Sequence, residues 1–487
     1  MSFKERRLHP VAMLIGAMRT IRRWVSAFVL PGVAFLMSQG FNLRTLVLVA
    51  LGALVVAALA ALWGFLSWRA TTYAVSGSAF RLRTGVFQKN ERTIPLEHVQ
   101  SVDTVQGVIQ RFFDVFEVRV ETAGGGTAEP DASLSALNRA SAEALRREIE
   151  GSRCEPSGVE EEAKSEVLRR LSTRELLVAG ATSGQIGIAL SLLAVGSQVF
   201  DDVLSEGFVR NLFDALAPRS TTVALVLVPA VVLLAWLLAI AGTILAYAGF
   251  TLSREGDLLY IKRGLLERRE ATIPLARIQA VRISEGVLRQ PFGLASLRVE
   301  SAGYGEDAGV STTLFPLLPQ GEAHALLLRA APEFAAAPVL APLPRRALKR
   351  YVFRATVPAL IVIAGAAGLS FFVFGSAAGL LGLLLVPPAA AHGWLRYRDA
   401  GWALERDRLV VRSRSLARAT AIAPRRRLQS RGVVRSPFQR RARLATFLAE
   451  VASGAGGAAV QVTDLDTDAA ETLAGDLGPG SRCRVAT

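Results

Sequence analysis

The chain alternates between long apolar runs and shorter stretches in which apolar and polar residues take turns. No charge interrupts Trp24 to Leu43 or Leu46 to Leu66. A bilayer core about 30 Å thick needs about 20 apolar residues at 1.5 Å rise, so these read as two spans joined by a turn near Asn42 and Arg44. A second pair runs from Leu176 to Phe200 and from Thr222 to Tyr247. A third fills the uncharged stretch from Ala355 to Leu395, with Gly375-Ser376 as its turn. The pattern predicts six spans in three hairpins.

After each hairpin the period changes to two. Phe80-Arg81-Leu82-Arg83-Thr84-Gly85-Val86-Phe87 matches Leu259-Tyr260-Ile261-Lys262-Arg263-Gly264-Leu265-Leu266, and such alternation broken by glycine predicts strands and turns. A nine-residue step then recurs: Thr93-Ile94-Pro95-Leu96 continuing to Gln100-Ser101, Thr272-Ile273-Pro274-Leu275 continuing to Gln279-Ala280, and the more divergent Ile422-Ala423-Pro424 continuing to Gln429-Ser430. The glutamines lie 179 and 150 residues apart, far beyond a solenoid unit of roughly 20 to 50 residues, so each repeat is a domain with its own membrane anchor. Helices are predicted to close the repeats over Leu134 to Ile149, Gly321 to Ala331 and Ala469 to Leu477. Short antiparallel strands closed by one helix predict a small β-barrel or sandwich.

These elements divide the chain into a basic N-terminus (1–23), hairpins at 24–68, 176–246 and 352–395, domains at 69–152, 247–335 and 396–487, and linkers at 153–175 and 336–351. Lysine and arginine stay on the cytoplasmic side of a membrane. Lys4, Arg6, Arg7, Arg19, Arg22 and Arg23 precede the first span, whereas the hairpin tips carry Arg44, a loop of Asp201, Asp202, Glu206, Arg210, Asp214 and Arg219 that is acidic on balance, and no charge in the third case. Both termini and all three domains are therefore expected in the cytoplasm.

The strand order, the repeated Thr-Ile-Pro-Leu step and Phe292-Gly293-Leu294-Ala295-Ser296-Leu297-Arg298-Val299-Glu300-Ser301-Ala302-Gly303 resemble the bacterial pleckstrin-homology-like domain. Over nearly its full length the chain is similar to membrane proteins of that family in which hairpins alternate with three such domains. Arg7-Leu8-His9-Pro10, ahead of the first span, fits the same pattern. Two repeats depart from it: Asp114 and Arg443 stand where repeat two has Gly293. The resemblance implies a place in the inner membrane of a bacterial cell, tolerance of envelope-active antimicrobial compounds and work alongside a smaller sister protein of the same domain type.

Charge singles out repeat three. Of a net +15 for the chain, a net of +11 lies between Arg396 and Glu450, where fifteen arginines face Asp399, Glu405, Asp407 and Glu450. Basic residues beside an anionic leaflet each contribute about 1 kcal/mol, and the planar guanidinium suits phosphate. Arg425, Arg426, Arg427, Arg440 and Arg441 are the lipid-headgroup candidates. The same charge also arises from membrane orientation alone, so both readings stand. The in-register Pro95, Gln100, Pro274, Gln279, Pro424 and Gln429 suit turns and bulges, where an amide can bond local backbone.

Two cysteines, Cys154 and Cys483, cannot make a disulfide framework, and His9, His98, His324 and His392 sit in unrelated contexts, so neither metal nor cofactor is expected. No nucleophile-elbow, Walker or zinc-protease pattern supports an enzyme, and the basic segment lacks the interleaved aromatics of single-strand nucleic-acid binders. The expected function is a non-catalytic scaffold whose domains meet anionic lipid or partner proteins. The alternative is a lipid transporter or scramblase, although no intramembrane charge marks an ion-coupled path.

Overall fold

The computed structural model describes residues 5–24, 42–76, 78–122, 132–151, 166–183, 191, 221–301, 313–375, 377–452 and 458–477. The chain divides into two compact units, Met1–Pro274 and Leu275–Thr487. Their boundary falls inside repeat two.

In the first unit, β1 (Arg6–Arg7) leads into a helical segment at 11–24, and α1 (Leu43–Ala70) returns to β2 (Thr72–Ser76), β3 (Ala79–Thr84) and β4 (Asn90–Pro95). These four strands form one sheet in chain order. Next come β5 (Val99–Gln106), α2 (Val108–Phe112), β6 (Val115–Thr122), β7 (Ala132–Asn138) and α3 (Arg139–Gly151). Phe80, Leu82, Ile94 and Leu96 of the first sheet share a core with Val102, Val118 and Val120 of the second and with Leu145 and Ile149 of α3. The repeat is an open sandwich and not a closed barrel. The helix begins later than the sequence predicts, because Leu134, Ala136 and Leu137 are buried on a strand paired with β6. Asn138 then caps the helix by accepting from the Ser141 N–H at 2.8 Å.

The unit continues with β8 (Glu166–Arg170), α4 (Thr173–Ala181), α5 (Thr221–Tyr247), β9 (Thr251–Glu255), β10 (Leu258–Arg263) and β11 (Arg268–Pro274). Segment 166–170, read as linker from sequence, is thus a strand beside β9. The second sheet has seven strands, ordered β7-β6-β5-β11-β10-β9-β8. It crosses from one repeat into the next, where β5 meets β11 with Gln106 opposite Arg268. An edge strand exposes unpaired N–H and C=O groups, and here the edges of successive repeats satisfy each other.

The second unit repeats the design. Here β12 (Ile278–Glu285), β13 (Leu294–Ser301), β14 (Thr313–Pro319) and α6 (Gln320–Ala330) precede β15 (Ala341–Pro342), α7 (Arg345–Phe374) and α8 (Val386–Asp399). Then follow β16 (Gly401–Glu405), β17 (Arg408–Arg414), β18 (Arg418–Pro424), β19 (Leu428–Val434), α9 (Pro437–Arg441), β20 (Leu444–Val451), β21 (Ala458–Asp466) and α10 (Thr467–Asp476). One sheet runs β14-β13-β12-β18-β17-β16-β15 and another β19-β20-β21. Leu409, Val411 and Ala423 of the former pack with Phe447, Val462 and Leu473 around the latter. Strands of neighbouring repeats again share one sheet, through β12 and β18.

Among the described residues three helices are long and apolar enough to cross a membrane: Leu43–Ala70, Pro229–Tyr247 and Arg345–Val373. These helices match the second, fourth and fifth of the six expected spans. Residues 25–41 and 192–220, which hold most of the first predicted span and the end of the third, lie outside the described residues. The sixth is split into a 3₁₀ segment at Ala377–Leu385 and α8. Pro387 and Pro388 remove two adjacent backbone donors at this point, which costs two bonds of a continuous α-helix where the 3₁₀ segment gives way to α8. Close approach within hairpins depends on glycine: a Cβ on Gly64 would lie 2.4 Å from the Met13 carbonyl, and one on Gly393 2.8 Å from that of Tyr351.

Candidate functional site

The repeated signature builds a corner. Pro95 and Pro424 each precede one 3₁₀ turn, at Leu96–His98 and Arg425–Arg427, while Pro274 ends β11 just before a third, Leu275–Arg277. The next strand pair shifts register between Val99 and Ser101, between Ile278 and Ala280, and between Leu428 and Ser430. Gln100, Gln279 and Gln429 are the residues at those bulges. The Gln279 Nε2 donates to the Arg277 carbonyl at 3.0 Å, a bond that turns the amide toward its own corner. The side chain of Gln100 is outside the described residues.

The five candidate arginines do not form one site. Arg425, Arg426 and Arg427 precede β19, and Arg440 and Arg441 follow it; six strand steps of about 3.3 Å separate the two groups by roughly 20 Å. The first group stands at the sheet end remote from α8. Arg426 pairs with Glu333 at 2.6 Å, Arg427 donates to the Ala276 carbonyl, and the Arg425 N–H donates to the Asp407 carbonyl at 2.6 Å. The hydrogen bond from Arg426 holds the Glu333 carboxyl below the usual carboxylate range. A cleft of about 490 Å³ opens there, lined by Arg406, Arg408, Arg425 and Arg426 with Glu333 and Asp407. Arg408 and Arg426 clasp the 3₁₀ turn Pro332–Phe334 at the end of repeat two.

Arg440 and Arg441 occupy the other end, where the apolar hairpin enters. The exposed pair ends α9, a short helix whose Ser436 and Gln439 cap each other. The Gln439 amide also donates at 2.8 Å to Asp464, which is fully buried, accepts from Arg350 at 3.1 Å and pairs with Arg354 of α7. A buried carboxylate thus fixes α9 beside the helix that enters the membrane. In the first unit Arg19 reaches Glu117 at 2.7 Å in the same spirit. Several arginines that mark orientation in the sequence are therefore also structural partners.

Two features of this end escape a reading by charge. The first is a set of exposed apolar tips. Between β3 and β4, Phe87 is 87% exposed and meets Trp63 of α1 at 5.9 Å; between β10 and β11, Leu265 and Leu266 are exposed and the Leu265 N–H donates to the Leu245 carbonyl of α5. Between β17 and β18 the tip is Leu416, 70% exposed. A second tip follows β5, β12 and β19, with Phe112 84%, Phe292 71% and Phe438 70% exposed. Three-fold recurrence of a large exposed apolar residue at one turn is the signal that could have found them.

The second feature is an aromatic four residues before the first strand of each repeat: Trp68, Tyr247 and Tyr397. Trp68 donates to the Leu8 carbonyl at 3.0 Å and Tyr397 to that of Leu343 at 3.2 Å, each just past a two-residue strand. They latch the entry and exit of a hairpin together. Among the described residues no three His, Cys, Asp or Glu side chains gather as a metal site.

Open sandwiches repeated behind apolar helices define a membrane protein built from PH-like repeats. Residues 23–153, 213–332 and 356–479 each match the Bacterial PH domain family, and the chain belongs to it. It is 32% identical to the UPF0699 transmembrane protein YdbT of Bacillus subtilis (strain 168), an alignment that covers 97% of this chain and 98% of that relative. No solved structure matches the chain.

Proposed function

We propose that this transmembrane protein is a non-catalytic scaffold whose PH repeats rest on anionic lipid at the cytoplasmic face of the bacterial inner membrane. The supporting observation is the recurrence of exposed apolar tips, with arginines beside them, at the sheet ends where the apolar helices join. Exposed apolar groups rimmed by cations suit a membrane interface, where side chains enter the acyl boundary and guanidinium groups meet phosphate. Arg440 and Arg441 are the headgroup contacts in this reading, whereas Arg426 and Arg427 serve the clasp to repeat two and the Arg425 N–H binds Asp407 within repeat three. Partner proteins and the envelope-defence role implied by the family resemblance would be served by the same fixed platform.

The test uses the full chain in vesicles, with a nitroxide at position 438 or 292 and a control at Asp257, in the β9–β10 turn at the remote sheet end. Tip labels should collide with oxygen and be shielded from a water-soluble relaxant. Changing Arg440 and Arg441 to Gln should move the 438 label outward in anionic vesicles. Tip labels as aqueous as the control would sink the proposal.

A further inference from the structure

The junction of repeats one and two holds a second basic cleft, of about 460 Å³. Arg111, Arg139, Lys262, Arg263 and Arg268 line it, with Glu270 opposing them. Glu270 is taken by Lys262 at 3.1 Å, and Arg111 donates to the Leu265 carbonyl at 3.0 Å, which ties the cleft to an apolar tip. Arg263 is only 4% exposed, and its buried Nη1 has no hydrogen-bond partner. Its guanidinium lies 5.5 Å from the Tyr247 ring; burial pushes its pKa down to about 10, against the opposing pull of Tyr247 and of the buried Asp103 carboxylate, so the group is charged at neutral pH. Asp103 and Glu270 are set against the five cations that line the cleft, and such a surplus, one member of it buried, calls for a further anion.

The corresponding junction in the second unit has Ser413 at the register position of Arg263 and meets its own arginines with carboxylates. Arg418 of β18 stands opposite Glu285 as Arg268 of β11 stands opposite Gln106. Arg414 pairs with Asp399 at 2.6 Å, and Asp399 lies two residues before β16, the place that Gly249 holds before β9. The positions of these two carboxylates hold an amide and a glycine at the first junction, where Asp103 of β5 is the acid that acts on Arg263. Nor do the nearby helix-end carbonyls repel an anion, because the Gly264 and Leu265 N–H groups already bind those of Ala248 and Leu245.

We propose that the cleft between repeats one and two binds a phosphate group, that of an anionic phospholipid headgroup, where Glu285 and Asp399 serve the other junction. Guanidinium forks at the rim and one buried at the base suit a phosphate with several acceptor oxygens. Only the lipid source of that phosphate rests on the scaffold function proposed above; the anion site stands on the cleft alone.

The decisive variant is Gln106→Glu in the full chain, which supplies the missing carboxylate with almost no change in volume; Arg268→Gln, at an exposed position, removes a cation instead. Thermal unfolding in detergent is compared in inorganic phosphate and in chloride at matched ionic strength, and in nanodiscs of phosphatidylcholine with or without phosphatidylglycerol. Wild type should gain several degrees from phosphate or from the anionic lipid, since a ligand bound only to the native state raises its melting temperature. Gln106→Glu should start higher and lose the response, and Arg268→Gln should weaken it. A response to inorganic phosphate without one to phosphatidylglycerol assigns the site to a free phosphate and removes the lipid claim. No response in either arm, or an undiminished response in Gln106→Glu, overturns the site.

Discussion

Arg418 grips Glu285 with two hydrogen bonds across the strand boundary between repeats two and three, its Nε donating to Oε1 at 3.0 Å. The Glu285 side chain is 1% exposed, and its hydrogen bonding to Arg418, helped by its charge, lifts the guanidinium above its ordinary value. Burying such a pair is neutral at best against an apolar substitute, but orphaning one member is expensive. Its value lies in register, because a slip of one residue would separate both charges.

Arg418→Met should therefore cost about 3–5 kcal/mol by leaving a buried carboxylate without its partner. The double variant Arg418→Met with Glu285→Leu should recover most of that loss. Thermal unfolding of the two variants in detergent measures both; equal losses would show that the pair does not act as a unit.

Asp114, Gly293 and Arg443 all adopt left-handed backbone, with φ of 48°, 61° and 51°. The sequence departs from glycine in two repeats, yet the turn keeps its shape. A non-glycine residue pays about 1–2 kcal/mol for this conformation, and aspartate pays less than most. Arg443→Gly should raise the unfolding free energy by about 1 kcal/mol, and Asp114→Gly by a smaller amount. Gly293→Arg should lower it, as read from melting temperatures in one detergent.

Acid should loosen the clasp between Arg426 and Glu333. The folded state holds the Glu333 carboxyl below its ordinary value of 4.5, so its contribution is present above that value and fades as the pH falls through the depressed one. Arg426 is largely exposed, which limits the effect to about 1 kcal/mol. Glu333→Gln should melt earlier than wild type at pH 7, and the two curves should converge in acid. A difference that persists undiminished at pH 3 would assign the effect to something other than this carboxylate.

Much was determined by local pattern. The apolar runs, the period-two strands and the recurring Ile-Pro-Leu step depend on neighbouring residues, so three repeats behind membrane helices can be read along the chain. Gln100, Gln279 and Gln429 likewise announce a bulge, because a bulge is a local event. What the chain does not disclose is pairing between distant edges. Whether β5 closes on its own repeat or on β11 depends on which strand satisfies its free N–H and C=O groups, 160 residues away in sequence, and Gln106 carries no sign that Arg268 lies opposite. The same holds for charge. Fifteen arginines look like one basic surface, yet β19 sets Arg426 and Arg440 at opposite ends, and only tertiary packing supplies Glu333 to the first and Asp464 beneath the second. Linear sequence sums charges, whereas the folded chain separates them, because electrostatic energy depends on distance and burial.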